Sequence, residues 1–347
     1  MTATTRPRRK HPVVALRLDG AAVRALDQTV LPFEERELVL SSAADVAEAI
    51  KRLSIRGAPL IGVAAGYGLA LELHNDPSDA SLERASMLLR EARPTAVNLA
   101  RAVDRVAAAA RRAPSADRAA VALAEAQAIE AEEEAASDAI ARHGADLLGD
   151  ARRIMTHCNT GALAAPGRGT ALAVIAELAD RGGLEEVLAT ESRPLLQGAR
   201  LTVYELQHLN IAHQLVVDSA AAGLIAGHAV DAVILGCDRV AANGDVANKV
   251  GTYGLALACN AAGLPFVVAG PTSTVDYDTP TGAQIAIEER DPEEVRAIAG
   301  RRVTDAATRC RNPAFDVTPA ALVTALVTER GVAQPVSEAT LGVLRSK

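Results

Sequence analysis

Five short apolar runs, separated by stretches long enough for helices, follow one another after about residue 150. The runs occupy residues 153–157, 186–190, 214–218, 232–235 and 265–269. Strands that alternate with helices form βαβ units, whose right-handed crossovers build a parallel sheet. The sequence therefore predicts an α/β fold whose carboxyl-terminal part is a Rossmann-like parallel sheet flanked by helices.

The first part of the chain shows helical patterns instead. Residues 42–53 begin with a serine suited to capping a helix and carry apolar side chains at helical spacing. Residues 59–74, 95–112 and 116–148 continue this pattern. The acidic run at 130–134 is interpreted as a solvated helix face. We predict a small, mainly helical domain over residues 1–130 and the Rossmann-like domain over residues 131–347.

Composition and charge disfavour several classes of function. A net charge of −7 and the lack of tryptophan, with three Phe and four Tyr, argue against a nucleic-acid partner, which needs a basic surface and stacking side chains. No apolar run reaches the length of a membrane span and no signal peptide opens the chain, so we expect a cytoplasmic protein without membrane contact. The four cysteines lack metal-ligand spacing, so we predict neither a bound metal nor a disulfide framework.

The segment 236–249 is the strongest candidate for chemistry. It follows the apolar run 232–235 and carries Asp238, Asn248 and Lys249. Open α/β sheets bind ligands at the carboxyl ends of their strands. An acid near an amide and an ammonium group indicates proton transfer on an anionic substrate. The alternative is a solvated turn, which the apolar flanks disfavour.

Other polar side chains also follow predicted strands. Cys158 follows the first strand, where a helix N-terminus and cations would activate a thiol, and a buried structural cysteine is an equal alternative. Arg193 and Gln197 flank Pro194 after the second strand, so a helix N-terminus there would hold a phosphate or a sugar hydroxyl. Asp218 follows the third strand and suits either a helix cap or a ligand.

Two arginines of the amino-terminal part precede predicted helices. Arg56 stands beside Gly57 and Ala58, whose amides would donate to a phosphate at a helix N-terminus, although a simple loop with a surface arginine is the alternative. Arg93 likewise precedes a proline and then a helix. The dinucleotide fingerprint Gly-x-Gly-x-x-Gly does not follow the first strand, which disfavours NAD binding.

Many motifs in order along the chain resemble the S-methyl-5-thioribose-1-phosphate isomerases of methionine salvage. They include Ile-Arg-Gly-Ala-Pro at 55–59, Arg-Pro-Thr-Ala-Val-Asn at 93–98, Thr-His-Cys-Asn at 156–159, Ser-Arg-Pro-Leu-Leu-Gln-Gly-Ala-Arg at 192–200, and the segments 26–32, 238–253, 287–292 and 312–316. This family is related to the regulatory subunits of the translation-initiation exchange factor and to archaeal ribose-1,5-bisphosphate isomerase.

The resemblance implies a cofactor-free isomerase in which Cys158 and Asp238 carry catalysis. It also implies that substrate contacts come from Arg56, Gly57, Ala58, Arg93, Gln197, Asn248 and Lys249. The implied substrate is a small phosphorylated sugar, bound in a cleft between the two domains. A homodimer formed through the carboxyl-terminal domain is implied as well.

The implied chemistry assigns a task to each group. A ribose 1-phosphate has its anomeric oxygen esterified, so the enzyme must protonate the ring oxygen and open the ring before hydrogen moves from C2 to C1. Asp238 is the candidate donor of that proton. Cys158 would act as a base at C2 or stabilise a direct hydride shift, and both routes stay open. Arg56, Arg93 and Lys249 would hold the phosphate.

Some positions depart from the family pattern. Thr190 and Ser192 stand where the family has Asp and Thr, Ser219 and Ala220 stand where it often has Asn and Met, and Cys237 replaces an alanine. The pocket for the C5 substituent is therefore open to change. The alternatives are the same isomerisation of 5-deoxyribose 1-phosphate or ribose 1,5-bisphosphate, or a non-catalytic regulatory subunit of the exchange-factor type.

Overall fold

The computed structural model describes residues 12–93 and 96–345. Its amino-terminal part begins with a three-stranded antiparallel sheet of β1 (Leu16–Asp19), β2 (Ala22–Leu26) and β3 (Glu37–Leu40). Five helices follow: α1 (Ala43–Lys51), α2 (Ala58–Asn75), α3 (Asp79–Arg90), α4 (Val97–Arg112) and α5 (Arg118–Leu147). The predicted helical character of this part is confirmed, whereas the small sheet and α3 were not expected.

The helix α2 is the centre of the amino-terminal core. Nearly all of its side chains are buried, because it packs against both α4 and α5. Its sequence is therefore apolar on every side and shows no polar face. Glycine allows the close approach, since a Cβ on Gly66 would lie 3.3 Å from that of Ala126 on α5. Ser42 caps α1 as predicted, since its side chain accepts a hydrogen bond from the backbone N–H of Asp45.

The rest of the chain contains thirteen further strands and six further helices among the described residues. The strands are β4 (Arg153–Thr156), β5 (Glu186–Thr190), β6 (His213–Val216), β7 (Ala232–Leu235), β8 (Arg239–Ala241), β9 (Val246–Lys249), β10 (Phe266–Ala269), β11 (Val275–Asp276), β12 (Ala297–Ile298), β13 (Arg301–Arg302), β14 (Phe315–Thr318), β15 (Ala325–Thr328) and β16 (Gly331–Ala333). The helices are α6 (Ala171–Asp180), α7 (Val203–His208), α8 (Ala221–Ala226), α9 (Thr252–Ala262), α10 (Glu293–Arg296) and α11 (Glu338–Arg345).

A seven-stranded sheet forms the main core of this part. Its strand order is β16-β15-β10-β7-β4-β5-β6, and all neighbours are parallel except β16. Both faces are covered, since Ala232 and Ile234 of β7 belong to one apolar cluster and Val233 and Leu235 to the other. The predicted parallel sheet is confirmed, and its five predicted strands correspond to β4, β5, β6, β7 and β10.

The strand order reverses between β4 and β7. From β4 the chain moves outward through β5 and β6, and it then returns to build β7, β10 and β15 on the other side. Ligands of open α/β sheets bind outside the carboxyl ends of the strands at such a switch point. Cys158 follows β4 and Asp238 follows β7, so the topology brings both residues to this crevice.

A second sheet, of order β11-β8-β9-β14, begins shortly after β7, because β8 starts at Arg239. It includes residues 239–241 and 246–249 of the candidate segment 236–249, which form the β8–β9 hairpin around Gly244 at φ +92°. Antiparallel pairing places Phe315 of β14 opposite Lys249 of β9. A late part of the chain thereby reaches the crevice.

The boundary at residue 130 stays a prediction. The helix α5 runs through it without a break, packing on α2 and α4 with its first half and on α6 and β15 further along. The acidic run is exposed at residues 131, 132 and 134, as interpreted, whereas Glu130 is half-buried and accepts a hydrogen bond from Tyr67. Glu133 is half-buried as well and accepts one from Ser273.

Candidate active site

A cavity of about 270 Å³ opens where the carboxyl ends of β4 and β7 face the segment that joins α1 to α2. Six of the predicted site residues line it: Arg56, Arg93, Cys158, Gln197, Asp238 and Lys249. Ten further lining residues were not predicted: Gln28, Thr29, Arg52, Leu53, Leu195, Arg200, Leu201, Arg290, Ala314 and Phe315. Both parts of the chain therefore contribute to one site.

Cys158 is held rigidly at the floor of this cavity. Its backbone has φ +62°, a left-handed conformation that non-glycine residues adopt only when their surroundings enforce it. Its N–H donates to Ser192 Oγ at 2.7 Å, and its carbonyl accepts from Thr202 Oγ1 at 2.5 Å. The side chain is buried, and the cavity is the space that remains open to it. The strain indicates a position selected for geometry rather than for packing alone.

The cavity is strongly cationic although the protein is acidic overall. Its cationic side chains are Arg52, Arg56, Arg93, Arg200, Lys249 and Arg290. Asp238 is the one acid among the described residues that line it, and its N–H donates to Ala247 O at 3.0 Å. A focused positive field in a partly enclosed site attracts and holds an anion. The arrangement suits a phosphate ester with one acid placed against it.

Lys249 is the most enclosed of these cations. Its Nζ donates to Ala314 O at 3.0 Å and lies 5.2 Å from the ring centroid of Phe315. Burial lowers the pKa of Lys249, while the nearby acidic groups of Cys158 and Asp238 oppose that shift. Arg93 lies over the same ring at 5.7 Å. Phe315 therefore orients two cations by cation–π contact.

Two carboxamide oxygens at the cavity have no partner among the described residues. Gln28 and Gln197 are both buried, and the Oε1 atom of each accepts no hydrogen bond. Gln28 Nε2 donates to Leu163 O at 2.7 Å, which fixes the orientation of that amide. An unsatisfied buried acceptor costs stability, so these atoms suit the hydroxyl donors of a sugar. Gln28 belongs to the segment 26–32 that carries the resemblance, but nothing in the sequence indicated that it would be buried at the cavity.

Three predicted substrate contacts lie beside the cavity rather than on its lining. Gly57 caps α2, and Ala58 is the first residue of that helix. Asn248 is buried in β9 and donates from Nδ2 to Thr252 Oγ1 at 3.0 Å. Their contacts with substrate stay predictions.

Arg193 and Asp218 serve the fold. The Asp218 carboxylate accepts from the N–H groups of Ser192 and Arg193 at 2.8 and 2.7 Å. The Arg193 guanidinium donates to the carbonyls of Pro194 at 2.9 Å and Val295 at 3.0 Å. The expected regular helix after Pro194 is instead a turn that leads into a π-helix over Gly198–Thr202. Gln197 alone of this predicted anion site faces the cavity.

Replacing Gly57 with alanine is expected to destabilise the protein by about 2–5 kcal/mol, from left-handed strain together with overpacking. Gly57 has φ +95°, and a Cβ there would lie 2.2 Å from the carbonyl oxygen of Ala164. Gly182→Ala is the matched control, because φ is +81° and nothing lies within 4 Å. Urea unfolding measures both variants, and equal losses would exclude a role for the Gly57–Ala164 contact.

Comparison with known proteins places the chain in a family. A sequence model of the initiation factor 2 subunit family matches residues 54–335, which is most of the chain. The chain belongs to this family. A methylthioribose-1-phosphate isomerase of Anaeromyxobacter sp. (strain K) is 53% identical over 93% of this chain and 94% of its own length. A 5-deoxyribose 1-phosphate isomerase of Moorella thermoacetica is 46% identical over 94% of this chain and 95% of its own length.

A solved structure of the family shares the fold over nearly the whole chain. The crystal structure of 5-methylthioribose 1-phosphate isomerase from Pyrococcus horikoshii OT3 matches with a TM-score of 0.90 and 37% identity, covering 96% of each chain. The resemblance drawn from the motifs is therefore confirmed, and so is the α/β fold.

Among the described residues, no helix combines the length and the hydrophobicity that crossing a bilayer requires. Within residues 12–93 and 96–345, no group of three or more His, Cys, Asp or Glu side chains is placed to hold a metal ion.

Proposed function

We propose that this protein is the isomerase that converts S-methyl-5-thio-α-D-ribose 1-phosphate to S-methyl-5-thio-D-ribulose 1-phosphate in methionine salvage. One observation carries the proposal: Cys158 and Asp238 follow the adjacent strands β4 and β7 and line a single cationic cavity. The names of the relatives in Anaeromyxobacter and Pyrococcus support the same activity.

In the proposed mechanism, Asp238 donates a proton to the ring oxygen, and the bond between that oxygen and C1 breaks. The electron-deficient C1 then receives hydrogen by one of two routes. In the first, Cys158 removes the C2 proton, which leaves an enol with a C1–C2 double bond; a proton then returns from Cys158 to C1 while the C2 hydroxyl loses its own. In the second, hydride moves from C2 to C1 while the C2 hydroxyl loses its proton. Each route leaves a ketone at C2 and the phosphate ester intact at C1.

The remaining lining residues bind and orient the sugar phosphate. Lys249, Arg93 and Arg56 supply positive charge for the ester, and their enclosure strengthens that attraction. The free Oε1 atoms of Gln28 and Gln197 accept from ribose hydroxyls. No cofactor enters this scheme, because acid, base and cation are all supplied by the chain.

The test is turnover of methylthioribose 1-phosphate to the ketose by the purified protein. We expect turnover, with 5-deoxyribose 1-phosphate as the second sugar to compare, because the Moorella relative bears that name at 46% identity. Ribose 1,5-bisphosphate is the third. A higher kcat/KM for another sugar would reassign the substrate. No turnover of any of them, together with a stable complex with translation factors, would favour a regulatory subunit.

We also infer a homodimer formed through the carboxyl-terminal part, in the cytoplasm. Leu215 of the edge strand β6 and Val217 just after it are exposed. Tyr253 and Leu257 of α9 are exposed as well, which gives apolar surface suited to a partner. The four cysteines are free, as a reducing compartment would keep them. Light scattering tests the dimer: a mass near twice 35.9 kDa supports it and a monomer excludes it.

A further inference from the structure

Glu205 is a fully buried carboxyl group that the proposed mechanism does not use. It lies on α7, away from the cavity lining, yet it contacts the loop that follows Cys158. Its Oε2 accepts from Ala162 N at 2.7 Å, and its Oε1 accepts from Asn159 Nδ2 at 2.7 Å and from Leu163 N at 3.4 Å. All three contacts are donors, so they match an ionised carboxylate with acceptor capacity only.

Asn159 connects Glu205 to the cavity. Its Oδ1 accepts from Arg56 Nη1 at 2.6 Å, and its carbonyl accepts from both terminal nitrogens of Arg56 at 3.2 Å. A carboxamide has one donor end and one acceptor end. Because Glu205 takes the donor end of Asn159, the acceptor end must face Arg56.

The same short segment also supports Cys158. Thr202, in the π-helix that leads into α7, donates to the carbonyl of Cys158 at 2.5 Å and lies 3.3 Å from Asn159 Nδ2. Gly161 approaches Glu205 so closely that a Cβ there would lie 2.2 Å from Oε2. The loop from 158 to 163 therefore packs closely against the Glu205 carboxylate and donates hydrogen bonds to it.

We propose that Glu205 is a positioning residue, which acts through Asn159 to hold the Arg56 guanidinium where it binds the phosphate of the substrate. The inference rests on the proposed function for the identity of that phosphate ester. The positioning role itself requires only that an anion binds at Arg56.

Protonation offers a way to observe this role. Burial raises the pKa of Glu205 to about 7, against the opposing effects of Asn159, Ala162 and Arg56. Arg56, from the segment before α2, and Tyr204, on α7, are ionisable groups that interact with it. Below that pKa the added proton meets groups that are themselves donors, so the contact with Asn159 weakens. Anion binding at Arg56 should therefore weaken as the pH falls through about 7.

The test is Glu205→Gln. Ala162 N and Asn159 Nδ2 both donate to Glu205, but a glutamine has only one acceptor oxygen. Its NH2 group therefore meets one of these two donors, and that hydrogen bond is lost. If Asn159 turns over to accommodate it, a donor faces Arg56. We expect KM to rise about tenfold with kcat within about threefold, as for the loss of a contact made equally in ground and transition states. Glu133→Gln is the matched control, since burial also raises the pKa of Glu133 to about 7 but its partner Ser273 lies outside the cavity lining.

A double-mutant cycle separates positioning from general stability. In an Arg56→Gln background, Glu205→Gln should change KM less than about twofold, because residues that act through one another are not additive. An equal rise of KM in both backgrounds would overturn the proposal.

Calorimetry with sulfate measures anion binding to the wild-type protein and needs no turnover. Sulfate keeps the same charge between pH 6 and 8.5, so any dependence on pH comes from the protein. We expect its dissociation constant to rise about fivefold or more as the pH falls from about 8 to 6, in proportion to the protonated fraction of a group with pKa near 7. A dissociation constant independent of pH would show that Glu205 does not titrate in this range. Sulfate binding to Glu205→Asp as tight as to the wild type at pH 8 would overturn the positioning role even if Glu205→Gln does not fold. Failure of the proposed function would show separately, as absent turnover with pH-dependent sulfate binding retained.

Discussion

Asp238→Asn is expected to lower kcat for methylthioribose 1-phosphate by about 10²–10⁴-fold, the range for loss of a general acid. The substitution keeps the shape of the side chain and removes the proton that the ring oxygen requires. KM should stay within about threefold, because the cations that hold the phosphate are untouched. Steady-state kinetics with a direct assay of the ketose measures both parameters.

The control for this prediction is Asp278→Asn, which changes the same charge at an exposed position outside the cavity lining. It should leave kcat unchanged. If Asp238→Asn retains kcat within about tenfold, another group donates the proton and the assignment of Asp238 is wrong.

Cys158→Ser is expected to lower kcat by a similar factor, about 10²–10⁴-fold, with the fold retained. Serine is close in size and makes the same backbone hydrogen bonds to Ser192 and Thr202. The hydroxyl is a far weaker base than a thiolate, so the loss reports on chemistry rather than on shape. Thermal unfolding should show little change.

Cys237→Ala is the matched control for this cysteine. Burial raises the pKa of Cys237 to about 12, and its Sγ lies 3.3 Å from Thr274 Oγ1, so it remains an unreactive thiol at neutral pH. Its substitution should leave kcat nearly unchanged. Retention of activity in Cys158→Ser, or an equal loss in both variants, would contradict a special role for Cys158.

Turnover in heavy water distinguishes the two routes for hydrogen. Transfer through Cys158 brings solvent deuterium to C1 of the ketose to the extent that the thiol exchanges with water. A direct hydride shift leaves C1 free of solvent deuterium. Any incorporation therefore establishes the proton route, and its absence over many turnovers favours the shift.

The buried strands were the most predictable elements. The runs at 186–190 and 232–235 coincide with β5 and β7, because a strand covered on both faces is apolar along most of its length. The strands β1–β3 lack such a signature, since they alternate between the core and solvent over four or five residues. The helix α3 was missed because its cap Ser78 lies in the polar stretch 76–81, whose composition is typical of a turn.

The site was predictable residue by residue but not as a whole. Cys158 and Asp238 each followed a predicted strand, yet local patterns contain no information on strand order, which makes β4 and β7 neighbours. Arg200 shows the same limit: its guanidinium is fixed by the carbonyls of Gln28, Thr29 and Leu31, more than 160 positions away in the chain. Contacts over such separations depend on the assembled fold.

The pairing of β14 with β9 has a consequence for biosynthesis. Phe315, which orients Lys249 and Arg93, comes from near the carboxyl end, so the cavity is incomplete until that strand has been added. A nascent chain that has not yet reached β14 already contains β4, β5, β6, β7 and β10 of the parallel sheet, yet it lacks Phe315 at the phosphate site. Chains that end before residue 315 should therefore be inert rather than partly active.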